Sequence, residues 1–269
     1  MPSGLRADDA TLSTRASELR DSSAAAAETA NNPSLPVSGF SGILLAVMPI
    51  VTITSRKGGC GKTLLATALA AALVERGADA VLLDADPNGT AHVWATRIRE
   101  GTPVPAHAEA DAERLAELLP TLAERHRILI VDTAGFGNQA AAVAAAAADL
   151  VLVPVTPGQG DVAEAQRTLA YVNGLARSTR RTIPALVVAN RLRRQTTLTR
   201  HVLAEIEADG LPRLQTSLSE AVAYGEMSFS GRLPGEGAPV EEIVALLDEV
   251  ARMASLLPVK QETGKAVNQ

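Results

Sequence analysis

The stretch VTITSRKGGCGKTLLATALA, residues 51–70, decides how the rest of the chain is read. It passes from a β-branched apolar segment through a glycine-rich turn into a Leu/Ala segment, the strand–loop–helix order in which a phosphate-binding loop works. Gly58, Gly59 and Gly61 let backbone N–H groups turn inward, Lys62 would reach the β and γ oxygens of a nucleotide, and the Thr63 hydroxyl would ligate Mg²⁺. A bare Gly-Lys-Thr is weak. With a strand before it and a helix after it, the pattern predicts a nucleotide cradle formed by Lys57, Gly58, Gly59, Cys60, Gly61, Lys62, Thr63 and Leu64. The ordinary pattern has glycine at position 56, but here Arg56 stands there, followed by Lys57.

Outward from this loop, short β-branched runs alternate with longer helical stretches, which predicts βαβ units and a parallel sheet. The strand candidates are 50–54, 80–83, 128–131, 150–155 and 183–189, each nearly continuous in apolar residues, as expected of strands covered on both faces. Helices are expected near 62–76, 89–99, 111–125, 138–147, 161–177, 196–208, 219–225 and 239–256. The first should end at Gly77, where a left-handed cap suits glycine. The fold class is therefore α/β, a doubly wound, mostly parallel sheet with helices on both faces.

At 269 residues and 46% apolar composition, the chain can bury one α/β core of roughly 200 residues. The single cysteine, Cys60, excludes a disulfide framework and an intrachain metal cluster of cysteines. A net charge of −5 argues against a surface that coats nucleic acid everywhere, so basic residues must be read by region. The apolar run 42–53 is well short of the ~20 residues that span a bilayer, and no basic start precedes it as in a secretory signal. The expected organisation is a disordered extension over 1–47, with Met48 as an alternative translation start, a P-loop domain over 48–257 and a flexible tail over 258–269. A reducing cytoplasm fits the cysteine count.

The carboxylates Asp84 and Asp132 are expected at the C-terminal ends of apolar strands, the edge where an open α/β sheet binds ligands. Both are candidates to hold Mg²⁺ or its waters, although Asp84 reads equally as a turn aspartate. Asp86, two residues beyond Asp84, reads as the N-cap of the following helix. Asn190 closes the fifth strand and by itself reads as a turn residue. The histidines His92, His107, His126 and His201 lack metal-ligand spacing, and Trp94 reads as core or interface packing.

RKGGCGKT, residues 56–63, resembles the deviant Walker-A motif of the ParA/MinD superfamily of ATPases, and Lys57 matches that motif's signature lysine. Asp84-Ala85-Asp86-Pro87-Asn88 is similar to the DxDPQ segment, with Asn88 in place of Gln. Val131-Asp132-Thr133-Ala134-Gly135 is similar to the Walker-B segment, and the resemblance extends over 49–257 through PVTPGQGDVAEA, 154–165, and ANRLRRQTTLTR, 189–200. It implies a P-loop NTPase fold with ATP and Mg²⁺ as cofactors. It also implies that Lys57 reaches across an ATP-sandwich homodimer, that Asp86 positions the attacking water, that Asp132 serves the metal's outer shell, and that Asn190 meets the adenine. The GTPase code is absent at Asn190-Arg191-Leu192-Arg193.

Within that superfamily, the acidic C-terminal helix and polar tail speak against membrane targeting. A lone cysteine speaks against cluster scaffolds, and the scattered Tyr171 and Tyr224 speak against the tyrosine kinases. The expectation is a small, slow partition ATPase that positions plasmid or chromosomal DNA with a ParB-like adaptor and non-specific DNA as partners, nucleoid-associated when bound. The alternative is a positioner of a protein cargo or an accessory ATPase of DNA transfer. Two arginine clusters are candidates for the DNA contact, Arg177/Arg180/Arg181 before the fifth strand and Arg191/Arg193/Arg194/Arg200 after it. They should lie roughly 23 Å apart at ~3.3 Å per residue.

Overall fold

A computed structural model describes residues 49–255 apart from Phe136. The extension over 1–47, the proposed start at Met48 and the tail over 258–269 lie outside the described residues. Six strands form one parallel sheet in the order β3-β2-β4-β1-β5-β6. They are β1 (Ile50–Ile53), β2 (Ala80–Ala85), β3 (Ala106–Ala108), β4 (Ile128–Thr133), β5 (Leu150–Val155) and β6 (Ala185–Ala189). The helices are α1 (Lys62–Glu75), α2 (Thr90–Val93), α3 (Ala112–Arg125), α4 (Gln139–Ala147), α5 (Asp161–Thr179), α6 (Thr197–Ala208), α7 (Val222–Ser230) and α8 (Ala238–Ser255).

The sheet is covered on both faces, which is why its strands read as unbroken apolar runs. Alternate residues point to opposite sides. Val51, Ile53, Leu82, Ile130 and Leu152 pack in one cluster with α1, α7 and α8, whereas Val81, Leu83, Leu129 and Val131 pack against α3 and α4. Val151, Val153 and Val187 meet α5 and α6. The central helix α1 buries 11 of its 14 residues, so it is apolar all round rather than striped, as a helix laid between the sheet and α8 requires. Gly77 takes φ +76 one residue beyond its C-cap, as the sequence predicts.

Four expectations are corrected. The short edge strand β3 carries no apolar run and exists through its pairing with β2, Leu82 opposite Ala106. The last strand starts at Ala185 rather than 183, because Pro184 has no N–H to enter the ladder and contributes only its carbonyl, which accepts from Val151 N–H at 2.8 Å. The helix expected near 219–225 is α7 over Val222–Ser230, since Ser219 and Glu220 are extended and pair with Leu192. The helix expected over 89–99 is α2 continued by a π-helical turn, Trp94–Ile98. Trp94 is core: it is 3% exposed and its indole N–H donates to the Met227 carbonyl at 2.8 Å.

The outer edge of β6 is closed by the segment 211–219, which exchanges hydrogen bonds with Val187 and Ala189. Acidic residues of α8 pin that segment. The buried Glu249 carboxylate accepts Gln215 N–H at 2.7 Å and Thr216 N–H at 2.9 Å, and Glu242 accepts Ser219 N–H at 2.9 Å and the Tyr224 hydroxyl at 2.8 Å. Replacing Glu249 by Ala strands two backbone donors, and urea denaturation should show a loss of about 2–4 kcal/mol. A change within 0.5 kcal/mol of zero would show that water satisfies both amides.

Candidate nucleotide site

Strand β1 lies between β4 and β5, and the order of connections reverses around it, so the loop leaving its C-terminal end opens into the crevice where such sheets bind ligands. Register places Ile53 beside Asp132, and Asp132 beside Asp84. The loop 55–61 therefore emerges next to two strand-end carboxylates.

The loop turns into α1 at Gly61, whose φ of +93 excludes most side chains. Space excludes them too: a Cβ there would stand 2.3 Å from the Asn190 side-chain nitrogen. Asn190 is 1% exposed and donates from Nδ2 to the Cys60 carbonyl at 2.8 Å, while its Oδ1 accepts Arg191 N–H at 2.9 Å. In this geometry Asn190 buttresses the loop from behind, a role its place after a strand did not reveal. Cys60 is buried with its thiol 3.4 Å from the Lys57 carbonyl, as a small filler residue would be. Lys62 Nζ donates to that same carbonyl at 3.3 Å.

Three carboxylates face the loop and differ in state. Asp84 is completely buried, but its oxygens accept Asp86 N–H at 3.0 Å and His92 N–H at 2.9 Å. It therefore anchors the loop after β2. Burial raises its pKa against the pull of these amides. Asp86 accepts Asn88 N–H at 2.9 Å in a local turn; the N-cap of α2 is Gly89, so Asp86 does not cap that helix. Asp132 is the exception. It is fully buried and neither carboxylate oxygen has a hydrogen-bond partner. Burial pushes its carboxyl up to about 7, with Asp84 and Asp86 adding to the rise and the nearby Thr63 hydroxyl and Lys62 ammonium opposing it. A buried, unsatisfied carboxylate beside a threonine hydroxyl fits a hydrated magnesium ion, so Thr63 and Asp132 are the residues that would serve one.

Sequence reasoning missed the acids opposite Arg56 and Lys57. The Lys57 ammonium is ion-paired with Asp161, the first residue of α5, whose other oxygen accepts the Thr156 hydroxyl. Arg56 pairs with Glu164 at 3.3 Å, and its N–H donates to the Thr168 hydroxyl. The signal lay in the acidic first turn of the helix after PVTPGQG, a segment that attracted attention only as a resemblance.

The arginine clusters stand at opposite ends of β6, and both are partly neutralised. Arg193 pairs with Glu220 and Arg194 with Glu242 at 3.4 Å, while Arg181 pairs with Asp149 at 2.9 Å. Arg177, Arg180, Arg191 and Arg200 are exposed. Among the described residues no group of His, Cys, Asp and Glu could by itself hold a metal ion. No described helix is long and apolar enough to cross a membrane.

The family described as VirC1 protein matches residues 48–236. The chain is 26% identical to the protein named ParA of Rhizobium radiobacter over 191 residues, which cover 69% of this chain and 85% of that one. It is 28% identical to the maintenance of carboxysome distribution protein A of Halothiobacillus neapolitanus over 207 residues, 74% of this chain and 95% of the relative. The same fold is seen in the septum site-determining protein MinD of Pyrococcus horikoshii, solved with Mg-ADP, at a TM-score of 0.60 and 17% identity over 77% of this chain and 97% of that one.

The state of Asp132 has a pH signature. Its folded-state carboxyl holds a proton up to about 7, against 3.8 without the fold, so the nucleotide-free protein binds the proton more tightly than its unfolded chain does. Stability from this group is present at low pH and is lost as pH rises between those two values. Asp132→Asn removes that loss. In nucleotide- and magnesium-free buffer its melting temperature relative to wild type should rise by a few degrees from pH 4 to pH 8, and a pH-independent difference would contradict the assignment.

Proposed function

The chain belongs to the VirC1 protein family within the ParA/MinD superfamily, and on that premise we propose that it is an ATP-dependent positioning ATPase. In this reading it dimerises on ATP, binds DNA without sequence preference and positions plasmid or chromosomal DNA. The observation that carries the proposal is the pairing of a glycine-built loop, with Lys62 and Thr63 at its helical end, with the unsatisfied Asp132 on the neighbouring strand. Inward N–H groups and Lys62 hold the phosphates, and Thr63 with Asp132 holds the hydrated magnesium ion. That ion, when bound, neutralises charge on the β and γ oxygens. Asp86, at the mouth of the site, orients the attacking water. Lys57 completes the site of a second subunit. The preference for ATP over GTP rests on the absent GTPase code and on the MinD relative's Mg-ADP. Hydrolysis is slow and raised by an adaptor of ParB type, and the protein works in the cytoplasm on the nucleoid.

A second reading, positioning of a protein assembly, is favoured by a specific pair of observations. The carboxysome distribution relative aligns over 95% of its length, and Arg193 and Arg194, which would meet DNA, are already matched by Glu220 and Glu242. Salt-dependent DNA binding with ATP separates the two readings. Arg191→Ala/Arg200→Ala should weaken it and lower the salt slope by about 0.9 for each phosphate that is no longer neutralised. No ATP-dependent DNA binding at low salt would favour the protein cargo.

Sizing by light scattering tests the core of the proposal. Lys62→Ala should lose ATP binding altogether. Lys57→Ala should bind ATP as wild type does yet form no ATP-dependent dimer and lose hydrolysis. An ATP dimer of Lys57→Ala would refute the sandwich.

A further inference from the structure

At the end of the sheet remote from the nucleotide loop, an open groove of about 980 Å³ lies between the C-terminal end of α5 and the entry to β6. Leu169, Ile183, Leu186 and Leu211 give it an apolar lining, and Arg177, Arg180 and Arg181 are its charged residues. No carboxylate lines it, although the chain as a whole carries a net charge of −5. Arg181 is engaged, since its guanidinium donates to the Ala146 carbonyl at 2.7 Å and to Asp149 at 2.9 Å. Arg177 and Arg180 are exposed and have no ion pair among the described residues. Arg180 ends α5 with φ +54, a left-handed cap that glycine takes without strain and arginine does not.

The groove also presents an open strand edge. Along β6, Pro184 turns its carbonyl toward β5, whereas Val187 and Ala189 turn theirs outward to the segment 211–219. The direction alternates along a strand, so Ala185 turns its N–H and C=O outward as well. The closing segment stops short of it. Its first bond to β6 is the Pro212 carbonyl accepting Val187 N–H at 2.8 Å, and Leu211 N–H is turned back to the Ile206 carbonyl at 3.0 Å. Ala185 therefore lines the groove with both backbone groups unpaired among the described residues.

We propose that this groove is a docking site for an extended acidic segment of a partner protein, which adds to β6 at Ala185 and places carboxylates on Arg177 and Arg180. Three features choose that occupant. The open backbone pair needs both a donor and an acceptor, and a lipid chain or a sugar–phosphate backbone supplies no N–H in return. The apolar lining suits a strand, which presents an apolar side chain at every second residue. The two free guanidinium groups, with no acid in the groove, suit carboxylates. Because the groove stands at the opposite end of the strands from the phosphate loop, this inference goes beyond the ATPase reading and does not depend on it.

Fluorescence anisotropy on the full chain without nucleotide tests it, with a labelled hexapeptide that alternates leucine and glutamate. The peptide should bind, and its counterpart with lysine in place of glutamate should bind at least about tenfold more weakly. Arg177→Ala/Arg180→Gly should weaken the acidic peptide about tenfold, the factor given by loss of one charge-assisted hydrogen bond. Glycine at position 180 relieves the left-handed cap, so the variant's melting temperature should not fall. Of the two acidic peptides N-methylated at alternate residues, one should lose binding and the other keep it, because only one alternation faces β6. Hydrogen exchange at the Ala185 amide should slow when the unmodified peptide is bound. No binding at roughly millimolar peptide, equal binding of the acidic and basic peptides, or acidic binding that the arginine variant leaves unchanged each overturns the proposal. If both methylated peptides bind like the parent, addition to β6 fails. If duplex DNA displaces the peptide and its own binding falls in the variant, the arginines are a phosphate contact and the peptide site is refuted.

Discussion

The turn at Gly61 and the buried Asn190 amide behind it form the constraint from which the site follows. Only a residue without a Cβ can take φ +93 with an amide nitrogen in the space a Cβ would fill, and only there does the chain leave β1 and enter α1 at once. The turn aims the first N–H groups of α1 into the crevice. It also places Thr63 beside Asp132, because β1 and β4 are neighbours in register. Asn190 comes from the end of β6, two strands away, and its hydrogen bond to the Cys60 carbonyl ties the loop to the far side of the sheet. A displaced β6 would thus be felt at the phosphate loop although it touches no phosphate.

Much of this was legible in the sequence, and the parts that were not share a physical reason. Strands covered on both faces announce themselves as apolar runs, and α1 and α4 follow from composition because their alanines and leucines are buried. Strand β3 is legible only through its partner, since a three-residue edge strand needs no apolar pattern of its own. The extended course of 219–220 is likewise dictated by Leu192. At the site, the glycines, Lys62, Thr63 and Asp132 could be named from spacing. What spacing could not show is which carboxylates are occupied. Asp84 and Asp132 look alike as strand-end aspartates, yet one accepts backbone amides on both oxygens and the other has no partner. Partners that lie 104 residues apart, as Lys57 and Asp161 do, leave no trace beyond the acidic first turn of α5.

The cations next to the loop all rest on protein oxygens. Lys62 rests on a carbonyl, Lys57 on Asp161 and Arg56 on Glu164, so each cation next to the loop has a protein oxygen in place of a phosphate oxygen. Neutral and half-exposed contacts of this kind are weak, generally no more than about 1 kcal/mol, and yield to a phosphate without large cost. The Asp161 contact differs because its carboxylate is buried, and the loss of the lysine would leave it in a low-dielectric setting. The three cations are therefore not equivalent: Arg56 and Lys62 are released cheaply and Lys57 is not.

Asp132 and Asp161 make the complementary point. Both are buried carboxylates at the mouth of the sheet, one on the strand that flanks β1 on one side and one at the helix that follows the strand on the other. Asp132 is unsatisfied, so a cation arriving beside it relieves a strain already present in the fold. Asp161 is satisfied, so a cation leaving it creates one. A cation arriving at the first carboxylate thus runs downhill, while removal of Lys57 from the second runs uphill.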